Sequence, residues 1–454
     1  MTLYAAAVTA DITPPPGHLL GGYVARTGPA TGTADPLRAT LVWLSGDADP
    51  GVLWLTVDAV AVDTGLAARL AVAAARAAAI PAERVLVCAS HTHAAPVGWA
   101  GEISPSVPGV REPELETALA DAVAYAAAAL PAARVPARLT WTVVDAPGVG
   151  ANRHRADGPH DTTTGVLAVY AAEGPASDAA EGPAPDPAQA PAPDAAEAPT
   201  PDRPLALLLD HASHPTVLGP DNLRYSADWP GAARRALAAA LGGCHVAFLQ
   251  GAAGDASPRF VRRGRDAAEL DRIGGLLAAP VLHALRAARP LPDAVPALRR
   301  STAAVPVRRL PEPAEAARTV ARARTDLAAV ADADSPGARL ARTTLEGAET
   351  VERLRAAALP AELTLPVGVV TLAGGPSWLH LPVELFASLG LRLRGGDPHT
   401  RVIGYTDGYF GYVADADGVT AGCYESLTSY FDTAGAEALL GAADDALTAA
   451  RSRR

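Results

Sequence analysis

Two histidines one residue apart, His91 and His93, follow the apolar run Val85-Leu-Val-Cys-Ala-Ser90. In an extended backbone residues i and i+2 point to the same side, so both imidazoles are expected to face the end of a buried strand. Ligand crevices of α/β sheets lie at such ends. Imidazole is the commonest protein ligand for zinc and the usual proton carrier near neutral pH. A lone His-x-His pair fits a structural role equally well, so the weight falls on its company. Leu207-Leu-Leu-Asp210-His211-Ala-Ser-His214-Pro-Thr216 repeats the pattern of a buried strand ending in histidines. His245–Leu249 is a third apolar strand, running into Gln250-Gly-Ala-Ala-Gly254-Asp255-Ala-Ser257-Pro258. Three such strands predict one sheet edge at which side chains from distant parts of the chain converge. Asn152-Arg153-His154-Arg155, Glu384, the Tyr409-Phe-Gly-Tyr412 turn and Tyr424 are the further polar candidates.

Stepping outward, hydrophobic periodicity sets the elements that must hold these residues. Residues 4–13 read as a strand, Arg38–Leu44 and Val52–Val62 as a hairpin, and Leu66–Ala79 as an Ala-rich helix. Asp58, inside the second apolar strand, fits either a backbone-paired carboxylate or a partner for a histidine. Glu112–Leu130 reads as a helix, Ala137–Asp145 and Val166–Tyr170 as strands. Residues 171–204 are nearly all Ala, Pro, Glu, Asp and Gly and cannot bury enough apolar surface to order themselves. They are expected to form a disordered acidic loop expanding a hairpin turn, which a fold tolerates because loop entropy grows slowly with length. Pro230–Leu241 and 265–288 read as helices and 311–359 as a helical hairpin broken at Asp334-Ser-Pro-Gly. Leu363–Leu372 and Ser377–Leu381 read as strands, Val383–Leu393 as a helix beginning at Glu384, and Thr433–Arg451 as the last helix. Alternating strands and helices predict an α/β fold of layered mixed sheets flanked by helices, with the site at strand C-terminal ends.

Composition narrows the function. The chain has 454 residues, 49% of them apolar, enough for a large core. A net charge of −11 argues against nucleic acid, whose phosphates need clustered cations. The basic residues are all Arg, a coding bias to which no function attaches. Cys88, Cys244 and Cys423 are far apart and odd in number, which fits a reducing compartment without a disulfide framework. The N-terminus lacks a basic region and a long apolar run, and no run approaches a membrane span. A cytoplasmic protein without a stable membrane anchor is the expectation.

With the histidines placed, the chain resembles the neutral/alkaline ceramidase family, zinc-dependent amidases that release the fatty acid from N-acyl sphingosine. The matching pieces are Ala10-Asp-Ile-Thr13, Ser90-His-Thr-His93, Asn152-Arg153, His214-Pro-Thr216 and Gly254-Asp-Ala-Ser-Pro258. Leu381-Pro-Val-Glu384, Tyr409-Phe-Gly-Tyr412 and Tyr424-Glu425 complete them. Each is short; they occur in the family's order over essentially the whole chain. The resemblance implies a Zn2+ ion held by His91, His214, Glu384 and Tyr412, with His93 and Arg153 lining the metal site. It puts Tyr424 near the scissile bond and leaves Ser257 as nucleophile or positioning group. The run after the His-x-His motif is Ala-Ala-Pro-Val-Gly where the family is glycine-rich. The family's C-terminal β-sandwich has no counterpart, and residues 1–454 are expected to form a single ceramidase-like catalytic domain.

These residue types suit that chemistry. Imidazoles and a carboxylate make an ordinary catalytic zinc site, and zinc brings the pKa of its water to about 7. His93 would carry a proton to the leaving amine. Tyr424 or Arg153 would donate to the tetrahedral oxyanion. Read alone, Glu384 is a first-turn acid favoured by the helix dipole, Tyr412 and Tyr424 are core tyrosines, Arg153 is paired to an acid, and Ser257-Pro258 is a turn. His211 and His154 read as structural. The expected activity is hydrolysis of a linear N-acyl amide, of a small metabolite or lipid-like molecule, by metal-activated water. Acyl transfer to an amine at the same site and a non-catalytic binding protein are the alternatives.

Overall fold

The computed structural model describes residues 2–23, 25–101, 109–155, 157–172, 203–331, 336–356 and 359–452. Its first half holds strands β1 (Tyr4–Asp11), β2 (Arg38–Ser45) and β3 (Val52–Val57), helix α1 (Thr64–Ala78), strand β4 (Val85–Ala89) and helix α2 (Pro113–Ala127). Strands β5 (Val135–Asp145), β6 (Thr163–Ala171) and β7 (Ala206–His211), helix α3 (Asp228–Ala240), strand β8 (His245–Gln250) and helix α4 (Ala267–Leu285) follow. The strands form one sheet in the order β8-β7-β6-β5-β1-β2-β3-β4, with Arg289–Pro290 pairing β5 as a ninth strand. Pairs β3–β4 and β7–β8 are parallel and the other neighbours antiparallel.

Side-chain alternation turns this sheet into layers. Strands β1 and β5 share only the pairs Tyr4–Pro136 and Ala5–Val135, so the sheet has two halves joined at a narrow seam. One face of each half packs on the other: Trp54, Leu86 and Cys88 share a core with Leu208, Ala247 and Leu249. The intervening residues face outward. Leu53, Val85 and Val87 pack against Leu66, Leu70 and Leu119 of α1 and α2, while Leu207, Val246 and Phe248 pack against Trp229, Leu237 and Ile273 of α3 and α4. Strands covered on both faces must be apolar throughout, as VLWLTV and VLVCA are. The result is the expected α/β architecture of layered mixed sheets and helices.

The second half comprises β9 (Ala297–Pro306), α5 (Pro313–Ala328), α6 (Pro336–Ala356), β10 (Glu362–Thr371), β11 (Ser377–His380), α7 (Ala387–Arg394) and β12 (Thr400–Ile403). Helices α8 (Tyr424–Thr428) and α9 (Thr433–Arg451) end it. Strands β9-β10-β11-β12 form a separate four-stranded sheet. Leu365, Val367 and Leu379 pack on Leu439, Leu440 and Leu447 of α9, whereas Val370, Trp378 and Ile403 enter the core between the halves of the large sheet. Bridges Gly251–Ile403 and Cys88–Thr406 tie the segment leaving β12 to the ends of β8 and β4.

Three expectations need correction. Strands β4 and β8 lie at opposite ends of the large sheet, not along one edge. Their ends meet because the two halves face each other and segment 403–406 bridges both. His91 is not extended: its φ of 67° is left-handed, so the His-x-His side chains converge through a turn, not through strand alternation. Glu384 does not open a helix. Glu384–Leu385 pair in parallel with Tyr412–Val413; Glu384 N donates to Gly411 O at 2.9 Å and Phe386 N to Val413 O at 3.1 Å. These long-range bonds displace the local helical pattern until Ala387. The 311–359 region does hold two helices, α5 and α6, packed through Val320, Ala323 and Ala348. The 171–204 insert lies, apart from its end residues, outside the described residues; the strands flanking it, β6 and β7, pair antiparallel as a hairpin.

Candidate metal centre

After β4, Ser90 N donates to Val57 O and His91 N to Ala59 O, each at 2.9 Å, and these bonds fix the turn that swings the His91 ring inward. His91 Nδ1 lies 2.6 Å from Val60 O. A carbonyl oxygen can only accept, so Nδ1 carries the proton and Nε2 keeps its lone pair. His214 is held alike, with Nδ1 2.7 Å from Ala253 O and 3.1 Å from Ala256 O. Trp229 Nε1 donates to the His214 carbonyl at 3.0 Å and anchors its backbone.

The two free Nε2 atoms point at one carboxylate. Glu384 Oε2 lies 3.3 Å from His91 Nε2 and 3.2 Å from His214 Nε2. Burial, with Arg153 adding to it, pushes the His214 imidazole down to about 4, so it is neutral at pH 7. Burial works against the Glu384 charge, and the facing His91 and His214 rings overcome it and hold the carboxyl well below the usual range. With both Nδ1 atoms against carbonyl oxygens, the two imidazole Nε2 atoms and one carboxylate oxygen converge on one point. Leaving a buried carboxylate so placed costs several kcal/mol unless a cation sits among them. This donor chemistry fits a divalent N/O-liganded ion such as zinc.

Around this core, His93 Nε2 lies 3.4 Å from His91 Nε2, and the donor atoms of His91, His93 and His214 all fall within 4.8 Å of one another. Gly22 has φ +87°, and a Cβ there would overlap the His93 ring; the loop comes this close only as glycine. Arg153 joins the other side, with Nη1 3.3 Å from His214 Nε2 and Nη2 donating to Tyr412 OH at 3.2 Å. Its Nε donates to Glu425 Oε1 at 2.7 Å. Burial works against the guanidinium charge, but Glu425 and then Tyr412 hold its pKa well above the ordinary value. Burial, followed by Glu384, keeps the Tyr412 phenol protonated far above neutral pH, so it would become a ligand only by losing that proton to a cation.

The structure thus gathers His91, His93, His214, Glu384, Arg153 and Tyr412. It does not gather the remaining two in the same way. Tyr424 sits edge-on to Tyr412, ring centroids 6.2 Å apart, and its hydroxyl donates to Glu346 of α6 at 2.9 Å. Ser257 Oγ accepts from Arg259 N at 3.3 Å and caps a short turn, the plain reading of Ser257-Pro258. Asp58 is likewise structural, accepting from Arg38 N and pairing with Arg234. His211 bonds Thr164 within the core. His154, read as structural, has its Nε2 3.1 Å from Glu425 Oε2, beside the site.

The sequence reading assigned no role to two tyrosines of the site. Tyr405 OH donates to Glu384 Oε2 at 3.3 Å and Tyr409 OH to Oε1, so the carboxylate is clamped by two phenols. Tyr409 lay inside the quoted Tyr-x-Gly-Tyr run, which offered a signal. Tyr405 follows a strand and offered none.

No family model matches this chain, and no curated protein matches it. Among solved structures, the chain is similar to neutral ceramidase from Pseudomonas aeruginosa, with a TM-score of 0.70 and 17% identity over all of this chain and 75% of that one. It is also similar to a ceramidase complexed with C2, with a TM-score of 0.69 and 17% identity over all of this chain and 76% of the other. A match at this depth over the full length speaks to the arrangement of the chain in space. The protein has a neutral ceramidase-like fold.

Proposed function

We propose that the protein is a zinc-dependent amidohydrolase that cleaves the N-acyl bond of a linear amide, from a small metabolite or a lipid-like molecule. The observation that carries this reading is the convergence of the His91 and His214 Nε2 lone pairs on Glu384 Oε2. His91, His214 and Glu384 would hold the ion, with Tyr412 as the phenolic candidate. Zinc, when bound, polarises the amide carbonyl and lowers the pKa of water to about 7.

The chain's own residues supply the remainder. Carbonyl acceptors at Nδ1 keep both ligand imidazoles in one tautomer. His93, half-buried beside His91 and His214, is held neutral by burial and then by those two rings, and its position lets it relay a proton to the leaving amine. Arg153, fixed by Glu425, offers N–H donors for charge developing on the carbonyl oxygen. Tyr424, beside Tyr412, serves the substrate side. The three unbridged cysteines fit a reducing compartment such as the cytoplasm, and no helix of the described residues is long and apolar enough to cross a membrane.

The test is metal analysis of the purified protein beside His214→Ala and Glu384→Ala, followed by a screen of N-acyl amides. About one zinc per chain bound at this site, lost in both variants together with hydrolysis, is the expected result. Zinc retained at the site in both variants would sink the ligand assignment. Product analysis with and without a free amine separates hydrolysis from acyl transfer.

A further inference from the structure

On the far side of Arg153 lies a second group of metal-binding side chains. His154, Cys423 and Glu425 bring an imidazole nitrogen, a thiol sulfur and a carboxylate oxygen to within 4.8 Å of one another. The hydrolytic reading uses only one oxygen of this group, Glu425 Oε1, which accepts from Arg153 Nε. The other oxygen faces His154. Glu425 is 3% exposed, and its Oε2 lies 3.1 Å from His154 Nε2 without an aligned hydrogen bond, leaving that buried atom without a hydrogen-bond partner. That oxygen points into a space that an imidazole and a thiol also face.

Both sides of the group are held in place. Asn152 Oδ1 accepts from His154 N at 3.0 Å, and Cys423 N donates to Gly418 O at 3.3 Å. Cys423 and Glu425 stand two residues apart where the chain enters α8. His154 is 36% exposed, which gives an ion a route in from solvent.

We propose that His154, Cys423 and Glu425 form a second site for a divalent cation of the zinc class, with water completing its coordination. Mixed nitrogen, sulfur and carboxylate donors select zinc, cobalt or cadmium over magnesium or calcium. A cysteine thiol ordinarily carries its proton at pH 7. Binding forms the metal–sulfur bond and releases that proton to solvent, with no change in oxidation state. The site goes beyond the amidohydrolase reading and stands on different residues.

The experiment is titration of the full chain with Co2+ or Cd2+, read by sulfur-to-metal charge-transfer absorption, alongside zinc content after dialysis. Cys88 and Cys244 are buried, so the absorption reports on Cys423. The wild type is expected to bind a second metal per chain with a charge-transfer band. Cys423→Ser should abolish the band and lower the metal content, His154→Ala should weaken binding at least tenfold, and both should keep the first metal. His214→Ala should lose the first metal and keep the band. Circular dichroism confirms that each variant is folded. A wild type without the band, or a band that survives Cys423→Ser, overturns the proposal. Metal lost in His214→Ala but unchanged in Cys423→Ser would overturn it and leave the amidohydrolase reading standing, and the reverse pattern would do the opposite.

Discussion

At the scale of the residue, each side chain of the centre works because a second group holds it. Carbonyls at 2.6 and 2.7 Å choose the tautomers of His91 and His214, and Tyr405 and Tyr409 clamp Glu384. The loop from His214 to Leu218 is held in turn by Asp228, which has φ +55° and accepts from Val217 N, Leu218 N and Trp229 N at 3.1, 3.0 and 2.8 Å. Burial raises the Asp228 carboxyl from its ordinary 3.8 to about 6, with the three N–H donors pulling against it and Asp35 adding to it. Because the folded value lies above the unfolded one, the fold favours the protonated acid. That contribution is full below the unfolded pKa and is lost as pH rises through about 6. A shift of this size corresponds to about 3 kcal/mol. Urea unfolding of wild type and Asp228→Asn at pH 4 and pH 7 should therefore show the wild type losing stability relative to the variant on going to pH 7. An equal difference at both pH values would contradict this.

At the scale of the element, the site depends on how the small sheet docks on the large one. Arg401 of β12 donates from Nε to Asp210 of β7 at 2.7 Å, and from its two terminal nitrogens to Thr163 Oγ1 and O at 2.9 and 3.0 Å. Asp210 leads directly to His214, and β12 leads to Tyr405 and Tyr409, so this buried pair fixes one half of the centre against the other. Removing only the cation leaves Asp210 charged and buried, an imbalance worth about 3–5 kcal/mol. Arg401→Ala is expected to lower the unfolding free energy by that amount, read from chemical denaturation. The paired change Arg401→Met with Asp210→Leu should recover much of it, and equal losses in the single and paired variants would count against the argument.

At the scale of the whole molecule, the centre exists because a single sheet is folded on itself. Strands β4 and β8 stand at its two ends, and the core between the halves, with Trp54, Leu86 and Leu249, brings their C-terminal ends together. Leu249 is fully buried there, one residue before the turn leading to Gly254. Leu249→Ala should destabilise by about 2–5 kcal/mol through lost burial and the cavity left behind. Chemical denaturation should show a lower midpoint with an unchanged slope; a changed slope would mean that the two halves no longer unfold together.

Much of this was legible in the sequence. The apolar runs marked β3, β4, β7 and β8 because strands covered on both faces have no polar face to interrupt them. The Ala- and Leu-rich periodicity marked α1, α4 and α9. His91, His93 and His214 were named from type and spacing and Glu384, Arg153 and Tyr412 through the family resemblance, and the fold brings all six together. The local pattern failed where distant partners outcompeted it. Glu384 reads as a helix start, yet its N–H bonds Gly411 O and that of Phe386 bonds Val413 O. Tyr424 and Ser257-Pro258, which the local pattern reads as a core tyrosine and a turn, have hydroxyls bonded to Glu346 and Arg259 N. The sequence by itself determined which segments are buried and which side chains offer nitrogen and oxygen donors, because burial and donor chemistry are properties of short stretches. Only the tertiary structure decided which nitrogen of each histidine is free, which phenols hold the carboxylate, and that both ends of one sheet meet. Those outcomes rest on hydrogen bonds and packing between residues tens to hundreds of positions apart, which no local pattern encodes.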